Sequence, residues 1–126
     1  MKKLLSIMVL ALAGCSAITD QIPSFWDANQ SAVITDIQQM TRHINCNADL
    51  KPQLHVLFMR LEWYDIYAAT KRTQDMVKLG QTMLITVKEF QDRTAQGPVS
   101  PAYCDIKKKI LVQQADIIAT TVQGRF

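Results

Sequence analysis

Apolar residues recur at intervals of three and four in four successive blocks, and this rhythm restricts the fold of the chain more than any other feature. The first block is Val33, Ile37, Met40 and Ile44, a spacing that lines one face of an α-helix and breaks the alternation of a strand. Ser24 or Asp27 is placed to cap its start, and Asn45-Cys46-Asn47 to end it. Leu54, Leu57, Leu61, Tyr64 and Ala68 mark a second helix, with Pro52 where a first helical turn tolerates it. A third carries Met76, Met83, Leu84, Val87 and Phe90 and stops at Gln96-Gly97-Pro98. Ser100-Pro101 reads as a cap followed by proline at the first helical position. The fourth helix is expected to turn Ile106, Ile110, Ile117 and Ile118 inward and to reach Gly124 near its end. The fold class is therefore all-α.

The boundary between the second and third helices is the hard one. Thr70-Lys71-Arg72-Thr73-Gln74-Asp75 contains neither Gly nor Pro, so residues 52–95 can also be read as one rod of about 65 Å. Against the rod, the apolar stripe lapses at Arg72 and Asp75, and Thr73 with Asp75 makes a fair helix start.

The start of the chain has a different character. Met1-Lys2-Lys3 is a short positive segment, and Leu4 to Ala13 is an apolar run broken only by Ser6. About ten apolar residues fall short of the roughly twenty that cross a bilayer but suit an export signal. Leu12-Ala13-Gly14-Cys15 closely resembles the lipobox of bacterial lipoproteins, a resemblance confined to these first residues. It implies that residues 1–14 are removed and that Cys15 becomes the acylated first residue, an anchor made durable by more than one acyl chain. Ser16 follows, where Asp is the family's usual signal for inner-membrane retention, so the resemblance implies an outer-membrane location facing the periplasm. Residues 15–23 then form a lipidated tether, and residues 24–126 form the helical domain.

Composition is read on the exported part. Without Lys2 and Lys3 the fourteen Lys and Arg become twelve, against eleven Asp and Glu, so the basicity of the full chain comes largely from its leader. No basic stripe suggests a nucleic-acid partner. No second run approaches membrane-spanning length, and no internal repeat or low-complexity tract is present. With Cys15 acylated, Cys46 and Cys104 remain as an even pair in an exported protein, where oxidation is favoured. Their disulfide decides between the two readings of residues 52–95. A single rod would hold the two cysteines near its opposite ends, whereas bridged Cα atoms lie within about 7 Å. A break near residue 72 gives three reversals and an antiparallel, up-down-up-down four-helix bundle that brings them together. Without the bridge, a long helical hairpin with the second and third helices continuous remains the alternative.

Catalytic and metal signatures are weak. His43 and His55 lack zinc-site spacing, and Glu62 with Asp65 is not accompanied by the Glu-x-x-His pattern of carboxylate metal sites. Those two acids read as solvated charges near Arg60 and Lys51. With four glycines in the chain no phosphate-cradling loop stands out, and no nucleophile sits on a recognisable Gly-rich turn. Lys107, Lys108 and Lys109 read as a solvated face, with acidic partners or lipid headgroups as the sharper option. The expectation is a non-enzymatic protein with no cofactor, no metal and no nucleic acid.

The segment "HVLFMRLEWYDIYAA", residues 55–69, carries a second apolar stripe. Val56, Met59, Trp63, Ile66 and Tyr67 lie on the side of the helix opposite Leu54, Leu57, Leu61, Tyr64 and Ala68. Either this helix is buried on both sides, or it exposes an aromatic and Met-containing patch of the kind that binds proteins. Phe25 and Trp26 near the tether can cap the bundle end or meet a partner or lipid. The leading expectation is an envelope interaction module with a protein partner or self-association. Alternatives are a bundle that binds an apolar ligand or lipid between its helices, and a phage-encoded lipoprotein acting on the host envelope in lysis or superinfection exclusion.

Overall fold

A computed structural model of the chain describes residues 26–125. Four helices follow one another: α1 (Ala28–Arg42), α2 (Leu50–Thr70), α3 (Gln74–Ala95) and α4 (Pro101–Gln123). α1 packs on α2 and α4, and α3 packs on the same two, so the helices stand at the corners of a square with the α1–α3 and α2–α4 backbones apart. The protein is an antiparallel up-down-up-down bundle.

Local chemistry fixes each helix start. The Asp27 carboxylate accepts the backbone N–H groups of Asn29 and Gln30 at 2.9 and 3.0 Å, satisfying donors that the first turn of α1 leaves open. Asp49 does the same for Lys51 at 3.1 Å, and Pro52 falls within the first turn of α2. Ser100 Oγ accepts from Tyr103 N at 3.2 Å with Pro101 at the head of α4. α3 ends before Gly97, whose φ of +135° is open to glycine and strained for other residues.

The α2–α3 turn does without Gly or Pro. Arg72 itself takes the left-handed conformation, φ 57°, at the position after the helix cap where glycine is usual. Thr73 N donates to the Ala68 carbonyl at 3.0 Å, and Thr73 Oγ1 donates to the same oxygen at 2.7 Å. The amide of Gln30, fully buried in α1, donates to Thr73 Oγ1 at 3.1 Å. Thr73 thus precedes α3 without capping it by its side chain; its hydroxyl closes the turn instead.

The core confirms three stripes and corrects the fourth. All of Leu54, Leu57, Leu61, Tyr64 and Ala68 are buried, as are Val33, Ile37, Ile44, Met76, Met83, Val87 and Phe90. Met40 and Leu84 are half-buried against them, and Ile34 joins the core unanticipated. In α4 only Ile118 of the four expected isoleucines is buried; Ile106, Ile110 and Ile117 face outward. The inward face is Cys104, Leu111, Ala115, Ile118, Ala119 and Val122. The cause is the Cys46–Cys104 disulfide, Cα to Cα 5.8 Å, which requires Cys104 to point inward and thereby sets the rotation of α4.

Ion pairs bind the helices laterally. Arg42 of α1 holds Asp116 of α4 through two bonds of 2.7 and 2.9 Å, and Gln38 adds a third at 2.7 Å. These partners hold the Asp116 carboxyl below its ordinary pKa. Arg60 of α2 pairs with Asp36 of α1, and Lys107 of α4 with Glu89 of α3 at 3.3 Å.

Candidate interaction surface

The second stripe of α2 is exposed. Val56, Met59, Trp63 and Ile66 leave between 43 and 68% of their surface open, so neither deep burial nor long neighbouring side chains conceal them. Their positions follow from the helical period: at about 100° per residue they lie opposite the five core residues of the same helix. α2 occupies a corner of the square, and a corner helix has one face that nothing else in the bundle can cover.

Tyr67, grouped with this stripe by its spacing, is only half-buried and plays a supporting part. Its hydroxyl donates to the Asp27 carboxylate at 3.1 Å and accepts from Asn29 Nδ2 at 3.0 Å. Its ring stacks on Trp63, centroids 5.1 Å apart and planes 7° apart, and the Lys71 ammonium lies 5.5 Å from the ring centroid. Trp63 therefore stands on a fixed aromatic base. Trp26, beside Asp27, is half exposed. Phe25, like Cys15 and the rest of the leader and tether, lies outside the described residues.

A second apolar surface had no counterpart in the sequence reading. Ile106, Ile110 and Ile117 of α4 and Ile85 of α3 are all exposed. The signal was present as spacings of four and seven, but it was assigned to the core.

The charged clusters are more engaged than a solvated face would be. Lys107 pairs with Glu89 and lies over the Tyr103 ring at 5.8 Å. Lys108 donates to the Ile44 carbonyl at 2.8 Å, closing the end of α1; Lys109 alone of the three is exposed. Glu62 and Asp65 are half-buried rather than solvated. An Asp65 carboxylate oxygen is buried without a hydrogen-bond partner, and so is the Tyr64 hydroxyl. Burial pushes the Tyr64 phenol well above its ordinary pKa, so the group stays protonated. His43 Nδ1 sits 2.8 Å from the Gln39 carbonyl at the end of α1, and His55 is exposed. Among the described residues no three His, Cys, Asp or Glu side chains gather as a metal would need, and no helix is long and apolar enough to cross a membrane.

No family model, curated protein or solved structure matches this chain. The reading of the surface therefore rests on its own chemistry. A cleft of about 410 Å³ opens at the disulfide end, between the α1–α2 and α3–α4 loops, lined by Cys46, Ala48, Leu50, Thr94, Gly97 and Val99 among others. It lies outside the helical interior. There Met76, Met83, Tyr64 and Phe90 are fully buried in the packed core.

Proposed function

We propose that this protein is a lipoprotein held at the periplasmic face of the outer membrane by acylated Cys15, and that it binds a protein partner through the outward face of α2. The observation that supports this most is the exposure of Val56, Met59, Trp63 and Ile66 along one helix face. A corner helix needs one apolar stripe to hold its place, and the second contributes nothing to the bundle that water would not undo. Its composition, with Trp and Met on a rigid helix, is that of an interface centre. The flanks supply polarity: Arg60, paired with Asp36, on one side, and Glu62 on the other. The reading is of a binding module without catalysis of its own, tethered where its partner is found.

A photo-crosslinking residue at Met59, in the intact lipidated protein within its native cell, tests this directly. Gln81, exposed on α3, serves as the control. A discrete adduct at 59 and none at 81 identifies the partner, or a second copy. Equal labelling at both positions, or none at either, would sink the assignment of the α2 face.

A further inference from the structure

One end of the bundle gathers aromatic and cationic side chains beside the point where the tether enters. Trp26 is the first described residue and is half exposed. Its neighbour Asp27 accepts from the Tyr67 hydroxyl and lies 4.0 Å from Lys71. Tyr67 in turn stacks on Trp63. Ile66, the most exposed large apolar side chain among the described residues, lies one turn from this end. Lys71 and Arg72 are exposed in the turn itself, and Arg72 makes no ion pair among the described residues. It holds a left-handed backbone position where glycine would fit without strain. Three carboxylates lie towards this end: Asp27 and Asp75 face Lys71 and Arg125, and Asp65 is half-buried beside Tyr64, so Arg72 is the exposed cation that no carboxylate holds.

We infer that this end is a membrane-docking rim, which seats the bundle on an anionic phospholipid surface with Trp26 and Ile66 in the headgroup region and Lys71 and Arg72 against phosphates. The inference rests on the anchoring of Cys15. Tryptophan and tyrosine collect at membrane interfaces because an apolar ring and a polar edge are both satisfied there, and neighbouring Lys and Arg are drawn to anionic headgroups. The tether makes a weak contact sufficient. Cys15 to Trp26 spans at most about 40 Å fully extended, so the rim meets the bilayer at an effective concentration on the order of millimolar. Depth divides the exposed stripe of α2 between the two roles, Ile66 going to the bilayer and Met59 and Val56 to the partner. With the bundle upright, Ile66 stands about 6 Å above the end of α2, Trp63 about 10 Å and Val56 about 21 Å. Interfacial side chains sink roughly 5–10 Å. Trp63 therefore marks the upper edge of the dock, and Met59 and Val56 remain above it.

The chain contains two tryptophans, and both report on the idea. The full chain, produced with its leader and purified with its acyl groups, is reconstituted into phosphatidylethanolamine–phosphatidylglycerol vesicles whose acyl chains carry bromine near the headgroup. In Trp63→Phe the remaining Trp26 should lose emission, because a ring held at interfacial depth lies beside the bromines. In Trp26→Phe the remaining Trp63 should lose less. Lys71→Glu/Arg72→Glu should return Trp26 to its unquenched level without altering the helical circular dichroism. A protein lacking both native tryptophans and carrying Ala48→Trp at the far end should show no quenching. Trp26 unquenched in a protein of acylated mass, or Ala48→Trp quenched as strongly as Trp26, overturns the dock while anchoring stands. A mass without acyl groups overturns the anchoring and the dock together.

Discussion

Breaking the Cys46–Cys104 bond frees the unfolded chain, and the size of the effect follows from the loop it closes. The two cysteines are 58 residues apart, for which loop-closure entropy gives about 4 kcal/mol at 25 °C. A domain of this size moves its Tm by roughly 4–8 °C per kcal/mol. The double variant Cys46→Ala/Cys104→Ala should therefore melt about 20 °C below the parent. Lost packing adds little at Cys46, which is only partly buried, and more at Cys104, which is buried. The assay is far-UV circular dichroism against temperature, with Cys15→Ser in every protein so that no third thiol competes. Reductant should lower the parent to the melting point of the variant and leave the variant unmoved. A drop under about 5 °C would falsify the loop-entropy reasoning. It would mean that the reduced, unfolded chain already keeps the two segments near each other.

Three further outcomes test other parts of the structure. Ile118→Ala should cost about 2–5 kcal/mol in urea unfolding, whereas Ile117→Ala, at an exposed site, should cost under about 1 kcal/mol; equal costs would refute the rotation of α4. Arg72→Gly should raise stability by up to about 1 kcal/mol, because glycine adopts the left-handed conformation without strain, and a loss in urea unfolding would show that the Arg72 side chain stabilises the turn. Because the folded pKa of Asp116 is depressed by Arg42 and Gln38, its contribution is present above the unfolded value near about 3.9 and fades as pH falls through the lower folded value. Asp116→Asn should flatten that part of the acid unfolding curve, by an amount that salt reduces.

The sequence was most legible where one apolar arc ran unbroken along a helix. The five core residues of α2 fit a single arc, and all are buried. α4 misled because two stripes interleave: Cys104, Leu111, Ala115, Ile118 and Val122 on one side, Ile106, Ile110 and Ile117 on the other. Isoleucine outranks cysteine and alanine in hydrophobicity, yet the disulfide sets the rotation and leaves three isoleucines in water. Reading Cys104 as a fixed inward point would have chosen the right face. The α2–α3 turn was placed correctly although its means were hidden. No propensity marks Arg72 for a positive φ, and Gln30 reads as a surface residue until the turn it bonds is folded over it. On α2, periodicity revealed that a second stripe exists and left open whether it was covered. That depends on which helices flank α2, a property of the assembled square. Tyr67 shares the stripe's spacing, but its bonds to Asp27 and Asn29 depend on residues some forty positions earlier in the chain.

The staple and the tether lie at opposite ends of α1, and this determines how the protein bears tension. With Cys15 acylated as proposed, a pull on that anchor would enter at Trp26 and tend to peel α1 away from α2 and α4. Unravelling can proceed only as far as Cys46, where a covalent bond passes the load directly to the first turn of α4. About twenty residues stand ahead of that point, so the slack released is on the order of 70 Å. Beyond it, a force applied between the anchor and the C-terminal helix bypasses α2 and α3 altogether. The bond therefore shields α2 from a load that leaves through α4, whereas a load taken up by a partner on α2 enters that helix directly beyond Cys46.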